Sequence, residues 1–366
     1  MKLALRELRR RPGRFAVATG ALTFIVLLLL FLGGLLDGLF LGSTGAIRAQ
    51  LADVFVYSAD SRESFLRSRI TPELRQEVEQ APGVTEVGGL GFALVGAEVP
   101  GEDELADAAV IGYELPPSGV PEPPAPGRAW ADERLQAFGV DDGDVLLLGP
   151  ARVPIEVAGF VEDTNYLLQG GLWVEPGTWR EVQNKSRPDA RVTEGVFQSL
   201  VATGEGSPAE LAAAIDDATG GQTSTLTKDE AVDSLPGTRE QRSTFNLIIG
   251  ITFVVAGIVV ALFFALLTLE RVGLYGVLKA IGASSRQLVV GLLTQAVVVA
   301  LIAVVLGISA AFLLGSVVPP QVPLQLRPSR AVTTAVVVVV VAALGGLVSL
   351  RRVTRVDPAA AIGSAQ

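Results

Sequence analysis

The stretch LERVGLYGVLKAIGASSRQL, residues 269–288, lies between two long apolar runs and decides the fold of this chain. Four uncharged apolar runs occur in the sequence, and crossing the hydrocarbon core of a bilayer takes about 20 mostly apolar residues. Within a bilayer the backbone must satisfy its own hydrogen bonds, so we predict four transmembrane helices, at residues 15–36, 245–269, 287–318 and 331–350. The first run is longer than the core of about 7–15 residues in a signal peptide, so we expect it to be retained as a span.

The composition argues against chemistry carried out by this chain. Its 366 residues are 49% hydrophobic and 18% charged, with no histidine and no cysteine. Disulfides, thiol–metal sites and the usual nucleophile triads are therefore excluded. The sequence has no GxxxxGK[ST] phosphate loop, and the four predicted spans contain no ionisable residue. We therefore expect no enzyme activity, no catalytic, cofactor or metal site, no nucleic-acid partner, and an outside source of energy for any transport.

The distribution of charge predicts the orientation of the spans. Residues 1–14, the loop 270–286 and the tail 351–366 together hold 12 basic and three acidic residues. The segment 37–244 holds 15 basic and 35 acidic residues. Cytoplasmic segments of membrane proteins are enriched in Lys and Arg, so we expect both termini and the loop 270–286 to be cytoplasmic. The segment 37–244 and the loop 319–330 are then external, in a multi-pass protein of a bacterial plasma membrane.

The external segment 37–244 is predicted to be a mixed α and β domain with its own core. Its acidic run DDGD (141–144) has the composition of a turn and lacks the spacing of a calcium-binding loop, although cation binding by the acidic surface stays open. Two helices are expected, one capped by Thr71 and one by Ser207 with Pro208 at its first position. The expected strands are 53–58, 108–115, 144–149 and 154–161, the helices are 71–83 and 207–220, and the proline-rich loop is 116–127. The predicted fold class is an integral membrane α-helical protein with four transmembrane helices and a large extracytoplasmic α+β domain inserted between helices 1 and 2.

The stretch 269–288 has the pattern of a short helix, a stop and a capped restart. Four apolar residues recur in it at three-residue steps and form one stripe: Val272, Tyr275, Leu278 and Ile281. Gly282 suits a left-handed helix terminator, and Ser284 with Gln287 has the spacing of a capping box for the next helix. Periodicity alone leaves two alternatives open: a rigid segment that presents an apolar stripe to a partner, or an interfacial helix lying among lipid headgroups.

Several of these motifs resemble the MacB/FtsX-type (type VII, mechanotransmission) ABC transporter permeases. LKAIGAS (278–284) is similar to the cytoplasmic loop of that family, although the family's second acidic residue is missing here, at Leu274 or Tyr275. Three further stretches resemble the family's pattern: LALRELRRRPGRF (3–15), GRAWADERLQAFGVDDGDVLLLG (127–149) and RRVTRVDPAAAI (351–362). The segment GFVEDTNY and the WV that follows it (159–174) resemble the small DevC/HrtB-like members.

The resemblance implies a permease subunit that works with a separate P-loop ABC ATPase, in two copies, and with a second permease copy in a dimer. ATP and magnesium would be bound by the ATPase and not by this chain. ATP hydrolysis would move the external domain and export or extract an amphiphilic substrate such as a lipid, a drug or a haem-like molecule. The residues implied in ATPase coupling are Glu270, Arg271, Tyr275, Leu278, Lys279, Ala280, Ile281 and Gly282.

Two other functions stay open at this point. One is an FtsX-like regulatory permease that activates an extracellular cell-wall hydrolase without transport. The other is a four-span adhesin or sensor that has no ATPase partner. If haem were the substrate, the residues available outside as axial ligands would be Tyr57, Tyr113 and Tyr166, because the chain has no histidine or cysteine.

Overall fold

The computed structural model describes residues 12–269, 284–319 and 322–354. The chain divides into two compact units, one made of Met1–Gly38 with Arg242–Gln366 and the other of Leu39–Gln241. The α-helices are α1 (Pro12–Arg48), α2 (Pro72–Glu79), α3 (Pro176–Ser186), α4 (Pro208–Ala218), α5 (Lys228–Ser234), α6 (Thr238–Leu269), α7 (Ser285–Gly315) and α8 (Pro328–Thr354). The strands are β1 (Val54–Ser58), β2 (Val84–Glu98), β3 (Leu105–Tyr113), β4 (Arg128–Asp132), β5 (Val145–Leu148), β6 (Val153–Val161), β7 (Gly170–Val174), β8 (Ser199–Gly204) and β9 (Thr223–Thr227).

Helices α1, α6, α7 and α8 are each long and apolar enough to cross a membrane. With the sheet domain between α1 and α6, this confirms the predicted fold class. Helix α1 differs from its predicted span, because it continues 12 residues beyond residue 36 and ends at Arg48. The apolar run stops at Asp37, but a single charged residue does not end a helix, and no proline follows before Arg48. Asp37 therefore lies inside a helix.

Small side chains let the apolar helices approach one another closely. On α7, Ala296, Ala300 and Ala303 are almost fully buried. Gly307 of the same helix faces Val26 of α1, whose side chain would lie 2.6 Å from any added Cβ atom. Lipid-embedded helices gain little from hydrophobic burial against each other, so close packing of small residues is a principal source of their association.

The nine strands of Leu39–Gln241 form one mixed sheet in the order β3-β7-β4-β6-β5-β2-β8-β1-β9, with a further pairing of β3 and β2. That pairing closes six strands into a ring, and β8, β1 and β9 extend from β2. Strand β2 makes this possible because it is 15 residues long. Its first part pairs with β8 and its second part with β3. The pairs β3–β7 and β4–β6 are parallel, and the others are antiparallel.

Helix α3 packs on the ring through Trp179, which is fully buried. The ring contributes Gly91 of β2 and Gly112 of β3, where an added Cβ would lie 2.1 and 2.5 Å from atoms of Trp179. Glycine at these two positions therefore makes the space that the indole occupies.

The elements predicted in this segment are present. The four predicted strands correspond to β1, β3, β5 and β6 within a few residues. Helix α2 begins after Thr71, whose side chain accepts a hydrogen bond from the Leu74 amide. Helix α4 begins after Ser207 with a complete capping box and Pro208 in its first turn. The stretch 116–127 has no helix or strand, and Gly143 of DDGD has the positive φ of a turn residue.

Candidate functional site

The eight residues implied in ATPase coupling, Glu270 through Gly282, lie outside the described residues, so their arrangement stays a prediction. The description resumes at Ser284, where the predicted restart is confirmed. The Ser284 side chain accepts a hydrogen bond from the Gln287 amide at 3.3 Å, and the Ser284 amide donates to Gln287 Oε1 at 3.1 Å. This capping box begins α7 at Ser285.

The last turns of α1 contact the loop between β6 and β7 through backbone atoms, and we name residues 42–48 with loop 162–168 the junction. The Leu168 amide donates to the Gly42 carbonyl at 2.9 Å, and the Ala46 amide donates to the Asn165 carbonyl at 2.9 Å. In a regular α-helix the Gly42 carbonyl would pair with the Ala46 amide. The loop therefore engages both members of a helical pair and joins the helix backbone to the sheet domain.

Glycine allows this approach at Gly45, because an added Cβ would lie 2.6 Å from the Asp163 carbonyl oxygen and 2.8 Å from the Asn165 nitrogen. An ion pair supports the same contact, with Arg48 Nη2 2.8 Å from Asp163 Oδ1. The Arg48 Nε atom also donates to Thr44 Oγ1 at 3.0 Å. Backbone, side-chain and charge contacts thus coincide within two helical turns.

A buried carboxylate holds the loop from the sheet side. Asp132, at the end of β4, is 1% exposed and accepts hydrogen bonds from the Thr164 amide at 2.7 Å and the Thr164 hydroxyl at 2.8 Å. Its other oxygen accepts from the Arg134 amide at 2.9 Å. Burial raises the pKa of Asp132 above its ordinary value, and these three hydrogen bonds act in the opposite direction.

The loop carries unusual backbone conformations. Asp163, Leu167 and Leu168 have φ values of 55°, 50° and 67°. For non-glycine residues this left-handed region costs free energy, most of all for a bulky side chain, and it persists only where surrounding contacts enforce it. The contacts with α1 and Asp132 supply that enforcement.

A second polar contact lies within the unit of the apolar helices. Arg330 of α8 donates two hydrogen bonds to the Asp37 carboxylate of α1, one to each oxygen. The Arg330 side chain crosses Gly33, where an added Cβ would lie 2.6 Å from Arg330 Cδ. Beside it, the Gln325 amide donates to the Gly34 carbonyl at 3.0 Å. The segment before α8 is therefore held against a glycine-rich face of α1.

The three tyrosines of the sheet domain are not available as ligands. Tyr57, Tyr113 and Tyr166 are each at most 2% exposed. Burial raises the pKa of all three hydroxyls well above the ordinary value, which disfavours the tyrosinate form. Among the described residues, no cluster of acidic side chains is arranged to hold a metal ion.

Comparison with known proteins shows which class of protein this chain resembles. Residues 246–358 match the family model of the FtsX-like permease C-terminal domain. That match, together with four apolar helices and full-length similarity to permeases, confirms the resemblance to the MacB/FtsX-type family of ABC transporter permeases.

Two of the individual similarities extend over the whole chain or nearly so. It is 21% identical over 371 residues to the putative hemin transport system permease protein HrtB of Staphylococcus epidermidis, covering 100% of both chains. It is 27% identical over 378 residues to an ABC transporter permease of Mycobacterium bovis, covering 98% of both. The periplasmic region of MacB from Actinobacillus actinomycetemcomitans is similar at 13% identity and a TM-score of 0.36, over 52% of this chain and 95% of that one.

Sequence reasoning missed the junction and the Asp37–Arg330 contact. The spacing of glycines in α1 was one sequence signal for these contacts. Glycines recur on one face of the helix at steps of four and three residues: Gly34, Gly38, Gly42 and Gly45. Such spacing marks a face that another backbone can approach, but it does not identify that backbone.

Proposed function

We propose that this chain is the permease subunit of an ABC transporter that couples ATP hydrolysis by a separate ATPase to movement of the sheet domain. The observation that carries the proposal is the FtsX-like match over residues 246–358, which includes most of α6, all of α7 and α8, and the segments between them. The chain functions as a dimer with two ATPase copies, and its termini and segment 270–283 are cytoplasmic.

In this mechanism the segment 270–283 receives the force of ATPase closure. Helix α6 leads into this segment and α7 follows it, starting at a capping box on Ser284. The cap keeps the first turn of α7 from fraying. Movement of the segment 270–283 would therefore displace α7 and would not be absorbed by unwinding of its first turn.

The junction transmits movement to the sheet domain. Helix α1 is one uninterrupted element from Pro12 to Arg48, and its last turns are hydrogen-bonded to the loop 162–168. A displacement of α1 would act on this loop through three backbone hydrogen bonds and an ion pair. From the loop, Asp132 and Thr164 carry the displacement into β4.

The proposed substrate is an amphiphile taken from the membrane or its surface. One relative is named for hemin transport, and a haem-like molecule belongs to this class. The buried state of Tyr57, Tyr113 and Tyr166 favours recognition by apolar and hydrogen-bonding contacts over tyrosinate ligation.

The test is a pull-down of the partner ATPase by the permease. Ile281→Asp places a charge on the apolar stripe of the segment, at a cost of several kcal/mol if the contact is dry. We expect this variant to lose the ATPase at matched permease levels, together with substrate-stimulated ATP hydrolysis. Lys279→Ala lies off the stripe and is the control, expected to retain the ATPase. If Ile281→Asp binds the ATPase as well as the parent does, the segment is an interfacial helix and the coupling mechanism fails.

A further inference from the structure

A small recess lies where α8 begins, within the unit of the apolar helices, and has a volume of about 10 Å³. Its wall combines two guanidinium groups with apolar side chains: Arg327, Arg330, Leu30, Phe312, Leu326 and Ala331. Space of this size accommodates a single ligand atom or water, so a larger molecule would contact the recess mainly from outside.

The recess carries a net positive charge. Asp37 binds Nε and Nη2 of Arg330, and Nη1 has no hydrogen-bond partner among the described residues. Arg327 is exposed, and its side chain makes no ion pair within the described part of the chain. The two guanidinium groups of the wall are thus compensated by one carboxylate, Asp37, which is bonded to Arg330. The N-terminus of α8, at Pro328, adds the positive end of a helix dipole.

The position in the sequence places this charge at the level of lipid headgroups. Asp37 directly follows the uncharged run 15–36, and Arg330 directly precedes the uncharged run 331–350. Arginine near the end of a span positions its guanidinium in the interfacial region. Phe312 of α7 is 42% exposed and presents an apolar surface beside the guanidinium groups.

We propose that the recess binds the anionic headgroup of a membrane lipid, with a phosphate oxygen held by Arg327 and Nη1 of Arg330 and the adjoining chain lying on Phe312 and Leu326. Asp37 occupies only Nε and Nη2 of Arg330, which leaves Nη1 for the phosphate. The apolar wall favours a lipid over a free anion. An acyl chain would cover Phe312 and Leu326, whereas inorganic phosphate has no apolar part to contact them. Binding at this site does not depend on ATPase coupling, so the two proposals fail separately.

The experiment is native mass spectrometry of the purified full chain titrated with phosphatidylglycerol and, separately, with phosphatidylcholine. One arginine near an anionic lipid surface contributes about fivefold to binding. We therefore expect Arg327→Gln to lower the preference for phosphatidylglycerol about fivefold and Arg327→Lys to retain most of it. Asp37→Asn should act in the opposite direction and raise the preference, because it leaves the charge of Arg330 uncompensated.

The matched control is Arg239→Gln, which removes an exposed arginine at the start of α6 and should leave the preference unchanged. If Arg327→Gln and Arg239→Gln behave alike, the recess is not a lipid site. Displacement of phosphatidylglycerol by millimolar inorganic phosphate would also overturn the proposal, because it would show a site for a free anion.

Discussion

Gly45→Ala is expected to destabilise the junction between α1 and the loop 162–168. The added Cβ would meet the Asp163 carbonyl oxygen at 2.6 Å and the Asn165 nitrogen at 2.8 Å. Both are backbone atoms and cannot rotate away, so the loop has to move. The hydrogen bond from the Ala46 amide to the Asn165 carbonyl then lengthens or breaks.

The magnitude follows from three opposing contributions. Overpacking costs about 1–3 kcal/mol. Loss of the hydrogen bond costs about 1 kcal/mol more. Replacement of glycine by alanine inside a helix gains about 1 kcal/mol. We expect a net loss of about 1–3 kcal/mol in the free energy of unfolding.

Gly42→Ala is the matched control, because it makes the same substitution one turn earlier on the same helix. Its Cβ would meet Leu168 Cδ2 at 3.0 Å, and this is the end of a flexible side chain. The helix-propensity gain of about 1 kcal/mol offsets the small rearrangement of Leu168, so we expect stability within about 1 kcal/mol of the parent.

The assay is urea unfolding of the segment 39–241, which should fold alone because its two largest apolar clusters lie within residues 46–235. Hydrogen exchange of the full chain provides a second measurement, and amides 42–49 and 163–168 should exchange faster in Gly45→Ala. Equal stability and equal protection of the two variants would show that the loop does not hold α1 as described.

Two further predictions concern topology and pH. Single cysteines at the exposed positions Ser118 and Ser284 should lie on opposite sides of the membrane. In intact cells an impermeant thiol reagent should label Ser118→Cys and leave Ser284→Cys unlabelled. Labelling of both variants, or of Ser284→Cys alone, would refute the orientation. Burial raises the folded-state pKa of Asp132 above the unfolded value of about 3.9, so the native state disfavours the ionised form. The contribution of Asp132 to the free energy of unfolding should therefore rise as the pH falls through the folded pKa. The free energy of unfolding of 39–241 minus that of its Asp132→Asn variant should therefore increase as the pH is lowered from neutral toward the unfolded pKa of about 3.9, and an unchanged difference would contradict this assignment.

Local signals in the sequence were sufficient for much of the fold. The four spans follow from the length of the apolar runs, and the starts of α2, α4 and α7 follow from capping residues that act within three positions. Strand β2 escaped prediction because four glycines, at 88, 89, 91 and 96, interrupt its apolar pattern. The need for these glycines becomes clear only from the side chains packed against them. Gly91, for example, makes room for Trp179, which is 88 residues away in the sequence.

The sequence by itself determined the fold class, four apolar helices with a mixed domain between the first two, because spans and helix caps depend on residues close together in the chain. Only the tertiary structure decided that loop 162–168 bonds to the backbone of α1 and that Arg330 pairs with Asp37. Both contacts join residues more than 100 positions apart, and both use a glycine of α1 that leaves room for atoms of the partner segment. A glycine shows that space is needed, but only the fold shows which atoms fill that space.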